Sequence, residues 1–179
     1  THLLALNTIV SFLTNLYELS TLILNSWLWI PNLFNKSTKK KITTNKNDIK
    51  YTTATPAAVN QKLSDLSSLD SLIEKLPTEQ KDKIQNVTCD ADSVSFLVQG
   101  MNVTLRIVDR EENKTIKFGI ENLPIQGNFW IQILPASETQ TKMKLTLKAD
   151  LPMMVKMMVG SKLGDAVNQL ATVLSSIPY

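Results

Sequence analysis

Histidine and cysteine are almost absent from this chain of 179 residues, which contains one of each, His2 and Cys89. A single cysteine excludes an intrachain disulfide and a cysteine-rich zinc site. A single histidine close to the N-terminus excludes a histidine-based catalytic triad and a facial metal site. The composition therefore excludes most common hydrolase and metalloenzyme chemistries, and we expect the protein to work without a metal or other cofactor.

Arginine is also scarce, because only Arg106 and Arg110 occur among 19 basic residues. Residues 1–50 hold six lysines against Glu18 and Asp48, whereas the rest of the chain carries a net charge of −1. Binding of nucleic acid requires a surface that neutralises phosphates, and arginine is the residue that most often recognises base edges. We therefore expect no nucleic-acid partner.

Charge is nearly absent from the N-terminal region, where Glu18 is the only charged side chain between His2 and Lys36. Residues 9–30 would extend about 33 Å as a helix, which is enough to cross a hydrocarbon core of about 30 Å. Polar residues recur here at steps of three and four and form one stripe on a helix: Asn7, Ser11, Thr14, Glu18, Thr21 and Asn25. We predict a hydrophobic helix within residues 1–35.

The residues that follow favour a membrane-associated helix. Trp27 and Trp29 precede Lys36 and residues 39–41, all lysine, in the order of an aromatic belt and a cytoplasmic basic flank. On this hypothesis, residues 9–30 tether a cytoplasmic domain to the inner face of the membrane. The alternatives are an upstream segment that the functional protein lacks, and a helix packed on the domain or on a second copy.

Residues 36–46 are polar and basic and are predicted to form a linker. Removing residues 1–46 is then expected to leave the melting temperature unchanged. The domain is expected to span residues 47–179. It begins with a predicted strand over residues 49–54, and Thr55 and Pro56 then form the start signal of a helix. A second short helix is predicted over residues 69–76, before Pro77, with a loop over residues 78–85.

From Asn86 the hydrophobic period changes to two, which predicts six antiparallel strands with one apolar face. After Pro152 the period returns to 3.6, which predicts a final helix of about 25 residues. A sheet with one apolar face needs a cover, and this helix is long enough to provide it. We therefore predict an α+β fold of the order β-α-α-β6-α, in which a curved seven-stranded antiparallel sheet grips the C-terminal helix.

The domain resembles the SRPBCC, or START-like, helix-grip superfamily, in particular its small bacterial polyketide cyclase-like and lipid-transport members. The matching stretches are residues 59–66 (VNQKLSDL), 92–96 (DSVSF), 103–108 (VTLRIV), 130–135 (WIQILP), 142–147 (KMKLTL) and 177–179 (IPY). None of these stretches is a catalytic motif. The resemblance implies a hydrophobic ligand held between the sheet and the last helix, with enzymatic activity in only some branches.

The ligand cavity implied by the resemblance would be lined by apolar residues of the strands and of the last helix. These residues are Phe96, Val98, Val103, Leu105, Phe118, Phe129, Ile131, Met143, Leu145, Met154, Met157, Met158 and Val167. At these periods the same residues also suit a filled core. The methionines concentrated in residues 153–158 favour an adaptable apolar surface, and Gly160 and Gly164 favour a pocket or a close backbone approach nearby.

Three functions remain open from the sequence: binding or transport of a hydrophobic or lipid-like molecule, a protein-interaction module with a filled core, and a polyketide cyclase-like enzyme. No two of the candidate acid–base residues stand at a spacing that implies a catalytic pair. These candidates are Asp65, Asp70, Glu74, Glu121, Lys148 and Asp150. The enzymatic alternative requires a group such as Glu121 or Asp150 to face the cavity. Cys89 has no histidine partner and is expected to be a small structural residue.

Overall fold

A computed structural model describes residues 41–46, 48–69, 85–98, 101–122, 126–151 and 153–179. The elements are strands β1 (Lys41–Lys46) and β2 (Lys50–Thr52), helix α1 (Pro56–Leu63), strands β3 (Gln85–Cys89), β4 (Ser93–Val98), β5 (Met101–Glu111), β6 (Thr115–Glu121), β7 (Gly127–Pro135) and β8 (Thr141–Leu151), and helix α2 (Met153–Ser176). The helices predicted at residues 9–30 and 69–76 lie outside these ranges, apart from residue 69. Within the ranges, no helix is both long and apolar enough to span a membrane.

All eight strands belong to one antiparallel sheet. Its order is β1-β8-β7-β6-β5-β4-β3, and β2 also pairs with β8. Along β8, Lys46 pairs with Thr146 and Lys50 pairs with Met143, so β1 and β2 share one edge with a shift of register between them. The sheet thus has seven strand positions, which confirms the predicted α+β helix-grip architecture.

The predicted linker is corrected at residues 41–46, because these residues form β1 along the edge of β8. The sheet therefore includes Lys41–Lys46, which precede the predicted start of the domain at residue 47. The physical reason is that an edge strand is held by backbone hydrogen bonds to its neighbour and needs little apolar surface of its own. Ile42, Thr43 and Thr44 are also β-branched, which suits an extended backbone.

Helix α1 begins where the sequence predicts. The Thr55 hydroxyl accepts a hydrogen bond of 3.2 Å from the backbone N–H of Ala58, and Pro56 is the first helical residue. A 3₁₀ turn follows at Leu66–Ser68, with Asp65 as its N-cap. Val59 and Leu66 are buried, so this segment closes part of the core.

The predicted alternation of buried and exposed residues holds along the strands. We call the face of the sheet that packs on α2 the concave face, and the opposite face the convex face. The concave face contributes buried residues from β4 to β8: Val94, Phe96, Val103, Leu105, Ile107, Ile116, Phe118, Phe129, Ile131, Ile133, Met143, Leu145, Leu147, Ala149 and Leu151. Helix α2, with 24 residues, buries Leu163, Val167, Leu170, Ala171 and Leu174. The core therefore lies between α2, α1 and the concave face.

Candidate functional site

Most of the predicted cavity residues lie together on the concave face. Strand register places Phe96 beside Val103, and Ile131 beside Leu145. The buried members of the predicted set are Phe96, Val103, Leu105, Phe118, Phe129, Ile131, Met143 and Leu145 of the sheet and Val167 of α2. The side chains of Val98, Met154 and Met158 lie outside the described part of the structure. The concave face is thus a continuous apolar wall.

Met157 is a correction to the predicted lining. Its side chain is 81% exposed, and that of Met153, one turn earlier, is 61% exposed. Helical periodicity alone could not place these residues, because it groups residues by side of the helix and does not show which part of that side is covered. Met157 therefore does not line an enclosed space.

Two aromatic rings stand side by side within the wall. Phe118 of β6 pairs with Phe129 of β7, and the ring centroids are 4.3 Å apart with an angle of 2° between the planes. Because neighbouring strands lie about 4.8 Å apart, rings that stand perpendicular to the sheet stack in this way.

The C-terminal half of α2 lies close against the sheet. A cavity of about 10 Å³ remains there, lined by Phe129, Leu145, Thr146, Leu147, Val167 and Leu170. A volume of this size holds about one water molecule. This half of the helix is core, and a ligand of several carbon atoms would need space elsewhere.

The N-terminal half of α2 is different, because it carries two half-buried glycines, Gly160 and Gly164. Gly160 precedes Leu163 by three residues and Val167 by seven, so it lies on the same side of the helix as these buried residues. A β-carbon on Gly160 would meet only Cγ of Lys156, at 4.0 Å, and one on Gly164 would meet no atom within 4 Å, apart from the adjoining helix backbone. The expected close backbone approach is therefore wrong at both glycines, and the space beside each of them is open.

No charged residue is buried among the described residues; the buried polar side chains are Thr52, Ser93, Thr104, Thr141 and Thr146. Glu121 lies on the convex face, where its Oε1 is 3.2 Å from Nε of Arg106. Asp150 alternates with the buried residues Ala149 and Leu151 and so also lies on the convex side. The two groups named for the enzymatic alternative therefore do not face the core.

Two further candidate groups, Asp65 and Cys89, have structural roles, and Lys148 lies on the convex face over the ring of Trp130. Asp65 accepts hydrogen bonds from the hydroxyl (2.6 Å) and the backbone N–H (3.0 Å) of Ser67, which lower the pKa of this carboxyl. Cys89 is half-buried and packs against the core. In the described ranges, no three histidine, cysteine or acidic side chains come together as metal ligands would. Asp70 and Glu74 lie outside those ranges.

Tyr179 is a partly buried polar residue that sequence reasoning did not single out as functional. Its hydroxyl donates a hydrogen bond of 2.6 Å to the carbonyl of Leu174 and lies 4.0 Å from Sδ of Met143. Burial raises the pKa of this phenol. Lys62 of α1 donates a hydrogen bond of 2.7 Å to the carbonyl of Pro178, so the C-terminus is attached to the core. Its only sequence signal was its place in residues 177–179 (IPY), one of the stretches that carry the resemblance.

The sequence matches no protein-family model and no curated protein sequence. Solved structures are similar at low identity. Norcoclaurine synthase from Thalictrum flavum is 11% identical, with 83% of this chain and 95% of that chain covered and a TM-score of 0.54. A conserved protein from Geobacillus kaustophilus is 15% identical, with 74% and 91% covered and a TM-score of 0.52.

A START superfamily protein from Mycobacterium smegmatis is 16% identical, with 75% of this chain and 94% of that chain covered and a TM-score of 0.48. The order of the strands, the long C-terminal helix and the two similarities with higher TM-scores agree with the resemblance noted in the sequence. The chain has the helix-grip fold of the START-like, or SRPBCC, proteins.

Proposed function

We propose that the protein binds a hydrophobic, lipid-like small molecule between the N-terminal half of α2 and the concave face of the sheet. The observation that carries the proposal is the open space beside Gly160 and Gly164, on the side of α2 whose later residues are buried. In a helix that only covers a core, larger apolar side chains would occupy these positions. Two glycines there leave room for a guest.

The chemistry of the wall selects the ligand class. Apart from Thr52 and Thr141, the buried residues of the concave face are aliphatic, aromatic or thioether, and no charge is buried among them. An ionised group in such surroundings would lack a partner and would be costly to bury. The ligand is therefore apolar over most of its length, with any charged group left outside in water.

The lack of a buried charged residue on the concave face also favours binding over catalysis. General acid–base chemistry requires a titratable group within reach of the substrate, and no acidic, histidine or lysine side chain is buried among the described residues; Lys50, which pairs with Met143 at the β2 edge of the concave face, is only half-buried. The norcoclaurine synthase structure contains dopamine and hydroxybenzaldehyde, so one protein of this fold is an enzyme with aromatic ligands. The fold alone does not extend that activity to this chain.

The proposed site is tested by filling the space beside Gly160 with a larger side chain. Nile red, a neutral apolar dye, is titrated into the full chain and into the Gly160→Leu variant, and its fluorescence is followed. We expect the leucine to weaken dye binding about tenfold, which is roughly 1.4 kcal/mol, because its side chain would occupy space that the dye needs. The matched control is Ser161→Leu, which adds the same side chain at an exposed position of the same helix.

Equal dye binding by Gly160→Leu and Ser161→Leu would refute the proposed site. Circular dichroism establishes that both variants keep their helix content. Mass spectrometry of molecules that co-purify with the full chain then identifies the ligand. If the wild type retains no small molecule and binds no apolar dye, the protein-interaction alternative is preferred.

We further propose that residues 9–30 tether the domain to a membrane. The support is their composition, with Glu18 as the single charge, and the aromatic and basic residues that follow them. Flotation of the full chain with vesicles of phosphatidylcholine, in high salt, tests the tether. A Leu13→Asp and Leu24→Asp double variant is expected to abolish flotation, whereas flotation that persists would contradict it.

A further inference from the structure

The convex face of the sheet brings four lysines around one tryptophan. Strand register aligns Lys117, Trp130 and Thr146 in one row across β6, β7 and β8, and it aligns Gln132 with Lys144 two residues further on. The other two members are Lys142 and Lys148 of β8. We call Lys117, Lys142, Lys144, Lys148 and Trp130 together the lysine face. Lys117, Trp130 and the three lysines of β8 come from three different strands and meet through the register of the sheet.

The ring of Trp130 is approached by an ammonium group from each neighbouring strand. Nζ of Lys117 lies 5.3 Å from the ring centroid, and Nζ of Lys148 lies 5.2 Å from it. These are cation–π distances, so the ring holds both charges at the centre of the face. In the described part of the chain, none of the four lysines forms an ion pair.

Acidic residues offset this charge only in part. On β6, β7 and β8 they are Glu121, which is paired with Arg106, and Asp150 near the end of β8. Asp109 of β5 is aligned with Lys117 at a bulge. The lysines of β8 therefore form a surface of positive charge that complements a negatively charged partner.

Exposed apolar side chains border the lysines on one side. Leu134, Lys142 and Tyr51 form one row across β7, β8 and β2. Leu134 is 51% exposed and Tyr51 is 57% exposed. An aliphatic group, an aromatic ring and lysines on one face are the combination found where proteins lie on the surface of a bilayer.

We propose that the lysine face docks onto a membrane surface that contains anionic lipid. Lysine contributes a point charge without the bidentate geometry of arginine, and this suits mobile headgroups better than the ordered edges of bases. Leu134 and Tyr51 add apolar contacts that a nucleic acid would not use. The inference does not depend on a ligand inside the fold, nor on residues 9–30.

The test measures the position of Trp130 directly. In the full chain with Trp27→Phe and Trp29→Phe, Trp130 is the only tryptophan. The vesicles are phosphatidylcholine, with or without phosphatidylserine, and carry a nitroxide label on a fraction of the headgroups. We expect the label to quench Trp130 when phosphatidylserine is present and not in phosphatidylcholine alone. A hydrophobic tether would hold the chain on both kinds of vesicle, so it does not mimic this difference.

Two triple variants each replace three lysines with glutamine, one within the lysine face and one outside it. Lys142→Gln, Lys144→Gln and Lys148→Gln together are expected to shift the docking equilibrium about fivefold per lysine, or roughly 100-fold, towards the free face. The control variant replaces three lysines outside the lysine face, Lys114, Lys156 and Lys162, with glutamine. We expect the label to quench Trp130 in this control as it does in the wild type. A variant with arginine at positions 142, 144 and 148 retains the positive charges, and we expect the label to quench its Trp130 as well. This result would show that the glutamine variant loses docking through its charge and not through misfolding.

Equal quenching in the two glutamine triple variants, or no effect of phosphatidylserine, would overturn the proposal. So would lysine-dependent binding of polyuridylate that is tighter than binding to the anionic vesicles, because it would identify a nucleic acid as the partner. Lysine-dependent dimerisation without vesicles, followed by sedimentation, would identify a second copy as the occupant and would also overturn it.

Discussion

The guanidinium of Arg110 donates two hydrogen bonds to the carbonyl oxygen of Ser64, from Nη2 at 2.9 Å and from Nε at 3.3 Å. Ser64 is the C-cap of α1, where backbone carbonyls lack helical partners. Nη2 also pairs with the Asp92 carboxylate at the start of β4. Arg110 thus joins the end of α1 to the sheet.

The first prediction compares the two arginines of the chain. Arg110→Ala is expected to lower the free energy of unfolding by about 1 kcal/mol, because the Ser64 carbonyl loses its partner on a partly exposed surface. Arg106→Ala removes only the exposed pair with Glu121 and is expected to cost about 0.5 kcal/mol or less. Urea unfolding of both variants measures the difference, and an equal cost would contradict the role of Arg110.

The second prediction concerns pH and Tyr179. Burial raises the pKa of this phenol above its ordinary value of 10.0, so the unfolded chain releases the phenolic proton at lower pH than the folded chain. The resulting stabilisation is complete below pH 10 and is lost as the pH rises above it, by at most about 1.4 kcal/mol per pH unit.

Tyr179→Phe tests this pH dependence. The variant is expected to be less stable at neutral pH by about 1 kcal/mol, because the hydrogen bond to Leu174 is lost. Its stability should also fall less steeply than that of the wild type above pH 10. Tyr51→Phe, at an exposed position, is the control and should keep the wild-type slope. Identical slopes for the wild type and Tyr179→Phe would rule out the assignment.

The third prediction is that replacing the glycines of α2 changes the stability of the fold and the binding of the dye in opposite directions. Gly160→Ala and Gly164→Ala together are expected to stabilise the fold by about 1–2 kcal/mol, because glycine weakens a helix and the added methyl groups meet open space. If the proposed ligand occupies this space, the same variant should bind Nile red more weakly while its melting temperature rises. A loss of stability would show that the space beside the glycines is already filled.

The fourth prediction corrects the expected effect of an N-terminal deletion. Removing residues 1–46 deletes β1 and exposes the edge of β8, so we expect a loss of about 3 kcal/mol, or roughly 10 °C in melting temperature. Removing only residues 1–40 keeps β1 and should leave the melting temperature close to that of the full chain. Equal melting temperatures for the two deletions would show that residues 41–46 do not stabilise the sheet and act only as a linker.

The sequence by itself determined the local elements of this fold. Alternation at residues such as Phe96, Ile116 and Leu145 predicted strands and their buried faces, because a strand exposes and buries successive residues. Thr55 and Pro56 predicted the start of α1, because capping depends on neighbouring residues. The resemblance then ordered these elements into the helix-grip fold.

Only the tertiary structure decided the features that depend on long-range register. The strand at residues 41–46 exists because β8 offers an open edge, and its own composition resembles a linker. The lysine face forms because β6, β7 and β8 align Lys117, Trp130 and Lys148, which no local period connects. The exposure of Met157 and the space beside Gly160 likewise depend on how α2 lies against the rest of the fold, which hydrophobic periodicity does not encode.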